Sequence, residues 1–212
     1  MKIGRSRLAV RGAEFAPLAL VVAVAAACSS GVADARIPEI HVEGSRAVEY
    51  RSLAALADRS SAIVVVEPTG EQAVVPLPSG YGEAGAAPTL YDKVRVARVL
   101  AGEVAGDTIR VVSPGIDANT GRSALSGGGP YLLFVAPAMY GADDPAGGYV
   151  VTGGPAGLFA AAQPDARHSS STVSFLRVDD ESPALPESID TTDRASLPQI
   201  TRSEAQLLRE GP

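Results

Sequence analysis

From residue 47 onward the chain carries one short helical pattern followed by a series of short β patterns. Tyr50, Leu53, Ala54 and Ala57 fall at i, i+3, i+4 and i+7, with Leu56 on the flank, which predicts an amphipathic helix between Ala47 and Asp58 that ends at Arg59-Ser60-Ser61. Ala62 to Val66 (AIVVV) is a continuous β-branched run, the pattern of a strand buried on both faces or inside a barrel. Pro68-Thr69-Gly70 predicts a turn, after which Gln72 to Val75 pairs back. In Leu90 to Leu100 (LYDKVRVARVL), Val94 and Val96 alternate with Lys93 and Arg95, the period of a half-buried strand. Arg98 arrives one residue out of phase, so keeping it in water with Val99 inside requires an extra residue near Ala97, a β-bulge.

Further strands are predicted at Thr108 to Ser113, with Ile109 and Val111 inward, and at Tyr131 to Val135, stopped by Pro137. Three more follow at Tyr149 to Thr152, Leu158 to Ala161 and Thr172 to Val178, the last with Val173, Phe175 and Arg177 facing one way. Long Pro/Gly-rich loops separate them at 76–89, 114–130 and 138–148. Seven or eight short strands over about 120 residues predict a mainly β fold, a small closed barrel or a sandwich of antiparallel strands with one N-terminal helix. The domain is expected over 45–178. Residues 179–212 begin Asp179-Asp180-Glu181 and continue through Ser, Pro, Asp and Thr, which predicts an acidic tail. Thr201-x-x-Glu204 has the form of a capping box ahead of a short terminal helix.

The N-terminus reads as an address. Lys2, Arg5, Arg7 and Arg11 precede an uncharged apolar run from Phe15 to Ala27, too short for a spanning helix of about 20 residues but suited to a signal peptide. Small residues then lead into Cys28, and Ala25-Ala26-Ala27-Cys28 resembles the lipobox of bacterial lipoproteins. That resemblance implies cleavage between Ala27 and Cys28 and a diacylglycerol on the Cys28 sulfur. Cys28 is the only cysteine, and an exported chain gains little from one unpaired thiol. The same letters also satisfy the A-x-A rule for ordinary secretion. Residues 1–27 are thus expected to be a signal peptide and 28–44 a tether. The expected location is the outer face of the cell membrane, or the medium if Cys28 is not lipidated.

A second resemblance spans residues 47–178. The helix, AIVVV, YDKVRVARVLAG, GGPYLLFVAP and YVVTGGPAGLFA follow the element order of OB-like barrels of the netrin-module and metalloproteinase-inhibitor kind. In the animal inhibitors a free N-terminal cysteine and flanking disulfides form the zinc-chelating edge. With one cysteine, which the lipobox resemblance places on a tether, that mechanism does not carry over.

Composition narrows the chemistry. One cysteine, two histidines and no tryptophan exclude a disulfide scaffold, a cysteine-rich zinc site and a haem attachment motif. Losing residues 1–27 removes four basic residues and Glu14, so the 18 basic and 24 acidic residues become 14 and 23, a net charge of −9. Such a chain is repelled by nucleic acid and anionic headgroups, so membrane attachment would rest on the lipid. His41 and His168 lie in loop-like sequence, with no G-x-S-x-G and no strand–Ser–helix context. Asp117-Ala118-Asn119-Thr120-Gly121 opens like a calcium loop but puts Gly121 and Gly128 where oxygen ligands belong. Gly127-Gly128-Gly129 precedes a strand and has no lysine, unlike a phosphate loop. No catalytic residue, metal or cofactor is therefore expected. The candidate anion- or partner-binding face is Lys93, Arg95, Arg98 and Arg110, a basic stripe on an acidic chain. The expected role is a non-catalytic binding module for an envelope protein or polymer, the alternative an exported hydrolase.

Overall fold

Strands buried on both sides organise the fold. A computed structural model describes residues 49–78, 88–115, 122–125, 128–162, 174–192, 195 and 197–211. In order the elements are α1 (Leu53–Asp58), β1 (Ala62–Val75), β2 (Thr89–Gly102), β3 (Thr108–Val112), β4 (Tyr131–Gly141) and β5 (Asp144–Val151). A 3₁₀ turn at Gly154–Gly157 leads into β6 (Leu158–Ala161), β7 (Ser174–Arg177), β8 (Ser188–Asp190) and α2 (Glu204–Glu210). The eight strands form one mixed sheet in the order β1-β2-β3-β5-β4-β6-β7-β8, and β1 also pairs with β4. All pairings are antiparallel except β3–β5, which runs parallel through Val111 and Tyr149. The fold is mainly β, as expected, but not wholly antiparallel.

Alternate residues of β1 and β4 serve two cores. Ala62, Val64 and Val66 with Tyr131, Leu133 and Val135 face a first core shared with Val94, Ile109, Val111, Tyr149 and Val151. Ile63, Val65, Leu132 and Phe134 face a second core with Tyr50, Leu56, Phe159, Phe175, Leu185 and Ile189. The unbroken apolar runs AIVVV and YLLFV follow directly, because neither face of these strands meets water. α1 is shorter than its pattern predicts. Ser52 caps it by accepting the Ala55 N–H at 3.1 Å, so Tyr50 precedes the helix, Ala54 is exposed, and Leu56 and Ala57 are the buried pair.

Glycine and proline positions reshape strands here without ending them. β1 continues through Pro68-Thr69-Gly70, and Thr69–Glu71 bulge opposite Lys93 alone, with Gly70 at φ +77°. The Thr69 hydroxyl fastens the bulge by donating to the Lys93 carbonyl at 2.6 Å. Ala97 is the unpaired residue expected in β2, lying between the pairs Val66–Val96 and Val65–Arg98. A second bulge at Leu100 turns Leu100 and Ala101 to the second core and leaves Val99 38% exposed, not buried. β4 likewise runs through Pro137, which faces Tyr149 just before a register shift, so the missing N–H falls where the ladder is already irregular. The expected loop at 138–148 is therefore mostly paired strand.

The segment after Asp179 differs most from expectation. Leu185 and Ile189 are buried, and Leu197 and Ile200 pack against the same core. The Arg177 guanidinium donates to the carbonyls of Ser182 and Leu185, 2.5 Å each, pinning a turn that composition alone reads as solvated. α2 is capped by Ser203, not by Thr201. The Ser203 hydroxyl accepts from the Gln206 N–H while the Gln206 side chain accepts from the Ser203 N–H. Leu207 then docks the helix, and the Asp143 N–H donates to the Leu208 carbonyl at 2.8 Å.

Candidate functional site

The period that sends Val94 and Val96 to the first core sends Asp92 there as well, two residues earlier on β2. Asp92 is 2% exposed. Gln72, directly opposite on β1, donates its amide to Oδ1 at 2.9 Å, and the Ser123 hydroxyl donates to Oδ2. Ser123 Oγ in turn accepts from the Leu125 N–H at 3.1 Å and lies 2.7 Å from Ser113 Oγ, which is 2.9 Å from the Gly115 carbonyl. A buried carboxylate thus gathers groups from β1, from β2 and from both ends of the β3–β4 connection. Hydrogen bonds to an ionised acceptor are about twice as strong as neutral ones, and they offset the desolvation of the charge.

Nearby Tyr131 keeps its proton above the ordinary value of 10.0, chiefly because it is buried and secondly because of the Asp92 charge. Tyr50, Tyr91 and Tyr149 are raised as well, each mainly by burial. The folded state therefore holds protons that the unfolded chain releases near pH 10, so stability falls as pH rises from there through the folded values. Alkaline melts should show Tm declining from about pH 10, and in Asp92→Asn the Tyr131 phenol should ionise at lower pH. Absorbance at tyrosinate wavelengths checks this, with Tyr131→Phe identifying the transition.

The arrangement has the partners of a serine–carboxylate pair, but Ser123 is as buried as Asp92 and the pair is closed to solvent. In this conformation it fastens the chain. In Leu90 to Leu100 the alternation of Val94 and Val96 with Lys93 and Arg95 marks a half-buried strand and assigns Asp92 no role. The phase of Val94 and Val96, extended by one step, was the available signal.

The basic stripe divides. Lys93 faces Arg110 across β2–β3, and Arg95 sits two pairs along, so these three share a sheet face. Each has a local partner: Lys93 is 2.9 Å from Glu71, Arg95 pairs with Glu67, and the Arg110 guanidinium lies 5.6 Å over the Tyr91 ring. Arg98, beyond the bulge, instead donates to the Thr191 hydroxyl at 2.6 Å, just past β8. Lys93–Glu71 and Arg95–Glu67 thus form two rungs of opposite charge between β1 and β2, exposed pairs that contribute about 0–1 kcal/mol each to stability.

Ala27, Cys28, His41, Asp117–Gly121, Gly127 and His168 lie outside the described residues. The other glycines of interest have structural duties. Gly128, at φ +101°, lies against the Tyr131 hydroxyl, and Gly153, at φ +71°, against the Tyr50 ring. A cleft of about 620 Å³ lies between Gly102–Ala105 and Ile200–Gln206. Beside it the Tyr149 hydroxyl donates to Glu204 at 3.0 Å and accepts from the Ala105 N–H at 3.2 Å. Among the described residues no three His, Cys, Asp or Glu side chains gather as a metal site, and no helix is long and apolar enough to cross a membrane. Comparisons with protein-family models, curated proteins and solved structures find no match to the chain.

Proposed function

We propose that the chain is an exported lipoprotein, anchored through Cys28, whose domain is an OB-like closed β-barrel acting as a non-catalytic interaction module of the cell envelope. The observation that carries the barrel is the circuit of pairings β1–β2, β2–β3, β3–β5, β5–β4 and β4–β1, which returns to its starting strand. Its first core is filled by side chains from all five strands, with Leu125 and Leu158 packed among them. A filled interior leaves the exterior for recognition. The exposed candidate is the β1–β2 ribbon, where Val74 is 63% exposed. The lipid anchor and the outward location are supported by Ala25-Ala26-Ala27-Cys28 at the end of the apolar N-terminal run.

Two results test the reading. The intact mass of the protein extracted from its native host's membranes should equal the chain from Cys28 plus a diacylglyceryl group, and Cys28→Ala should lose that addition. An unmodified chain released to the medium would contradict the anchor. A photo-crosslinking residue in place of Val74, in intact cells, should yield a discrete adduct that the same probe at buried Phe175 does not. No adduct from Val74 contradicts the interaction role.

A further inference from the structure

We infer that Arg110 is a binding point for a single carboxylate group, held ready on the face of the sheet turned away from the first core by Tyr91 beneath it and two glycines of β5 beside it. The inference rests on the interaction-module reading and names the chemistry of one of its contacts.

Strand phase places the residues. Val94, Ile109, Val111 and Tyr149 belong to the first core, so Tyr91, Lys93, Arg110 and Gly148, each an odd number of positions from them, lie on the opposite face. Lys93 and Arg110 stand directly opposite each other across β2–β3. Like charges so placed destabilise a sheet unless each finds a counter-charge. Lys93 has one, because the bulge in β1 brings Glu71 to 2.9 Å. Arg110 has none: among the described residues no Asp or Glu pairs with it. On its other side β3 meets β5 at Val111 and Tyr149, which sets Gly148 beside Arg110, with no side chain to answer the charge.

The guanidinium is nevertheless positioned. It lies 5.6 Å from the centre of the Tyr91 ring, and Tyr91 is only 2% exposed although Lys93 and Arg110 on the same face are open to solvent. Gly147 and Gly148, at φ +77° and +83°, admit the arginine by having no side chains. A Cβ on Gly147 would lie 3.0 Å from Arg110 Nη2, and one on Gly148 2.6 Å from the Arg110 carbonyl oxygen. A stacked guanidinium has one face covered and its N–H edge open, the fork that takes a carboxylate through two parallel hydrogen bonds. Positioning it in advance reduces the entropy lost on binding. One guanidinium matches one negative charge. A dianion such as phosphate would bring an unmatched charge to a chain whose formal net charge is already −6.

Acetate, replacing chloride at constant ionic strength, tests this on the purified full chain labelled with nitrogen-15. The backbone amide signals of Gly147 and Gly148 should move along a saturating curve as acetate rises. Arg110→Gln should abolish the curve while amides remote from β3 and β5 keep their positions, which shows the variant folded. Arg110→Lys, which keeps the charge but not the fork, should weaken binding about fivefold or more. Lys93→Gln removes an equal charge from the facing residue and should change binding less than about twofold, because Glu71 already holds that ammonium. The site is overturned if the signals do not saturate, or if Lys93→Gln weakens binding as much as Arg110→Gln, which would reduce it to the general field of the basic residues. Arg110→Lys binding as tightly as the wild type overturns the fork. Inorganic phosphate binding more tightly than acetate overturns the assignment to a carboxylate. A Val74 adduct in cells with no acetate curve overturns the Arg110 site alone, and an acetate curve with no adduct keeps the site and removes the envelope partner.

Discussion

A chain ended at Val178 should fail to fold cooperatively, although composition alone marks everything after it as dispensable. The cut removes Leu185, Ile189, Leu197 and Ile200 and leaves the second-core faces of Ile63, Val65, Leu132 and Phe134 without part of their cover. Burying a Leu or Ile side chain fully contributes about 1.5–3 kcal/mol, so Leu185 and Ile189 together reach the lower range of a whole domain's stability. Phe175 would lose its neighbour Ile189, which pairs with it across β7–β8. The expected result is the loss of a sharp thermal transition, with dye binding to exposed apolar surface. A milder version is Ile189→Ala, expected to cost about 2–5 kcal/mol. A truncated chain that melts cooperatively within a few degrees of the full protein would show that the second core closes without its C-terminal cover.

Gly102→Ala should be among the most damaging single substitutions at a surface position. Gly102 is exposed at the end of β2, opposite Ala62, with φ +71°. A Cβ there would collide with the Ser61 carbonyl oxygen and lie 2.8 Å from the Ala62 Cα, and both neighbours are backbone. Left-handed backbone on a residue with a side chain costs about 1–2 kcal/mol. Displacing the first residues of β1, which pair with β4 as well, adds to it. The expected total is about 3–5 kcal/mol, or roughly 10 °C in Tm for a domain of this size. Gly70→Ala is the matched control, since Gly70 has φ +77° but nothing within 4 Å of the added carbon. It should lose only about 1–2 kcal/mol. Equal losses at the two sites would mean that the Ser61–Gly102 approach is looser than its geometry.

What was legible in the sequence was what short-range periodicity encodes. The alternation in TIRVVS placed Ile109 and Val111 inward, the unbroken AIVVV run marked burial on both faces, and the phase slip at Arg98 located the bulge at Ala97. Each signal is local, because a side chain's face is fixed by its neighbours two residues away. The rest depends on partners far along the chain. Pro68-Thr69-Gly70 and Pro137 are turn signals locally, and only the strands beside them make bulges of them. Leu185 and Ile189 are isolated apolar residues in polar sequence, buried because Arg177 pins the turn before them. Asp92 carried a readable phase, but its hydrogen bonds to Gln72 and Ser123 join residues 20 and 31 positions away. The parallel β3–β5 contact has no short-range signature at all.

That contact also offers the most direct test of the account, because the circuit of five strands closes or stays open there. In an isotope-labelled sample, interstrand NOEs should appear between Val64 and Leu133, where β1 meets β4, and between residues flanking Val111 and Tyr149, where β3 meets β5. Both sets together make the sheet a closed barrel with its interior filled. The β1–β4 set alone, with the backbone amides around Tyr149 exchanging freely, would make it an open sheet and contradict the barrel.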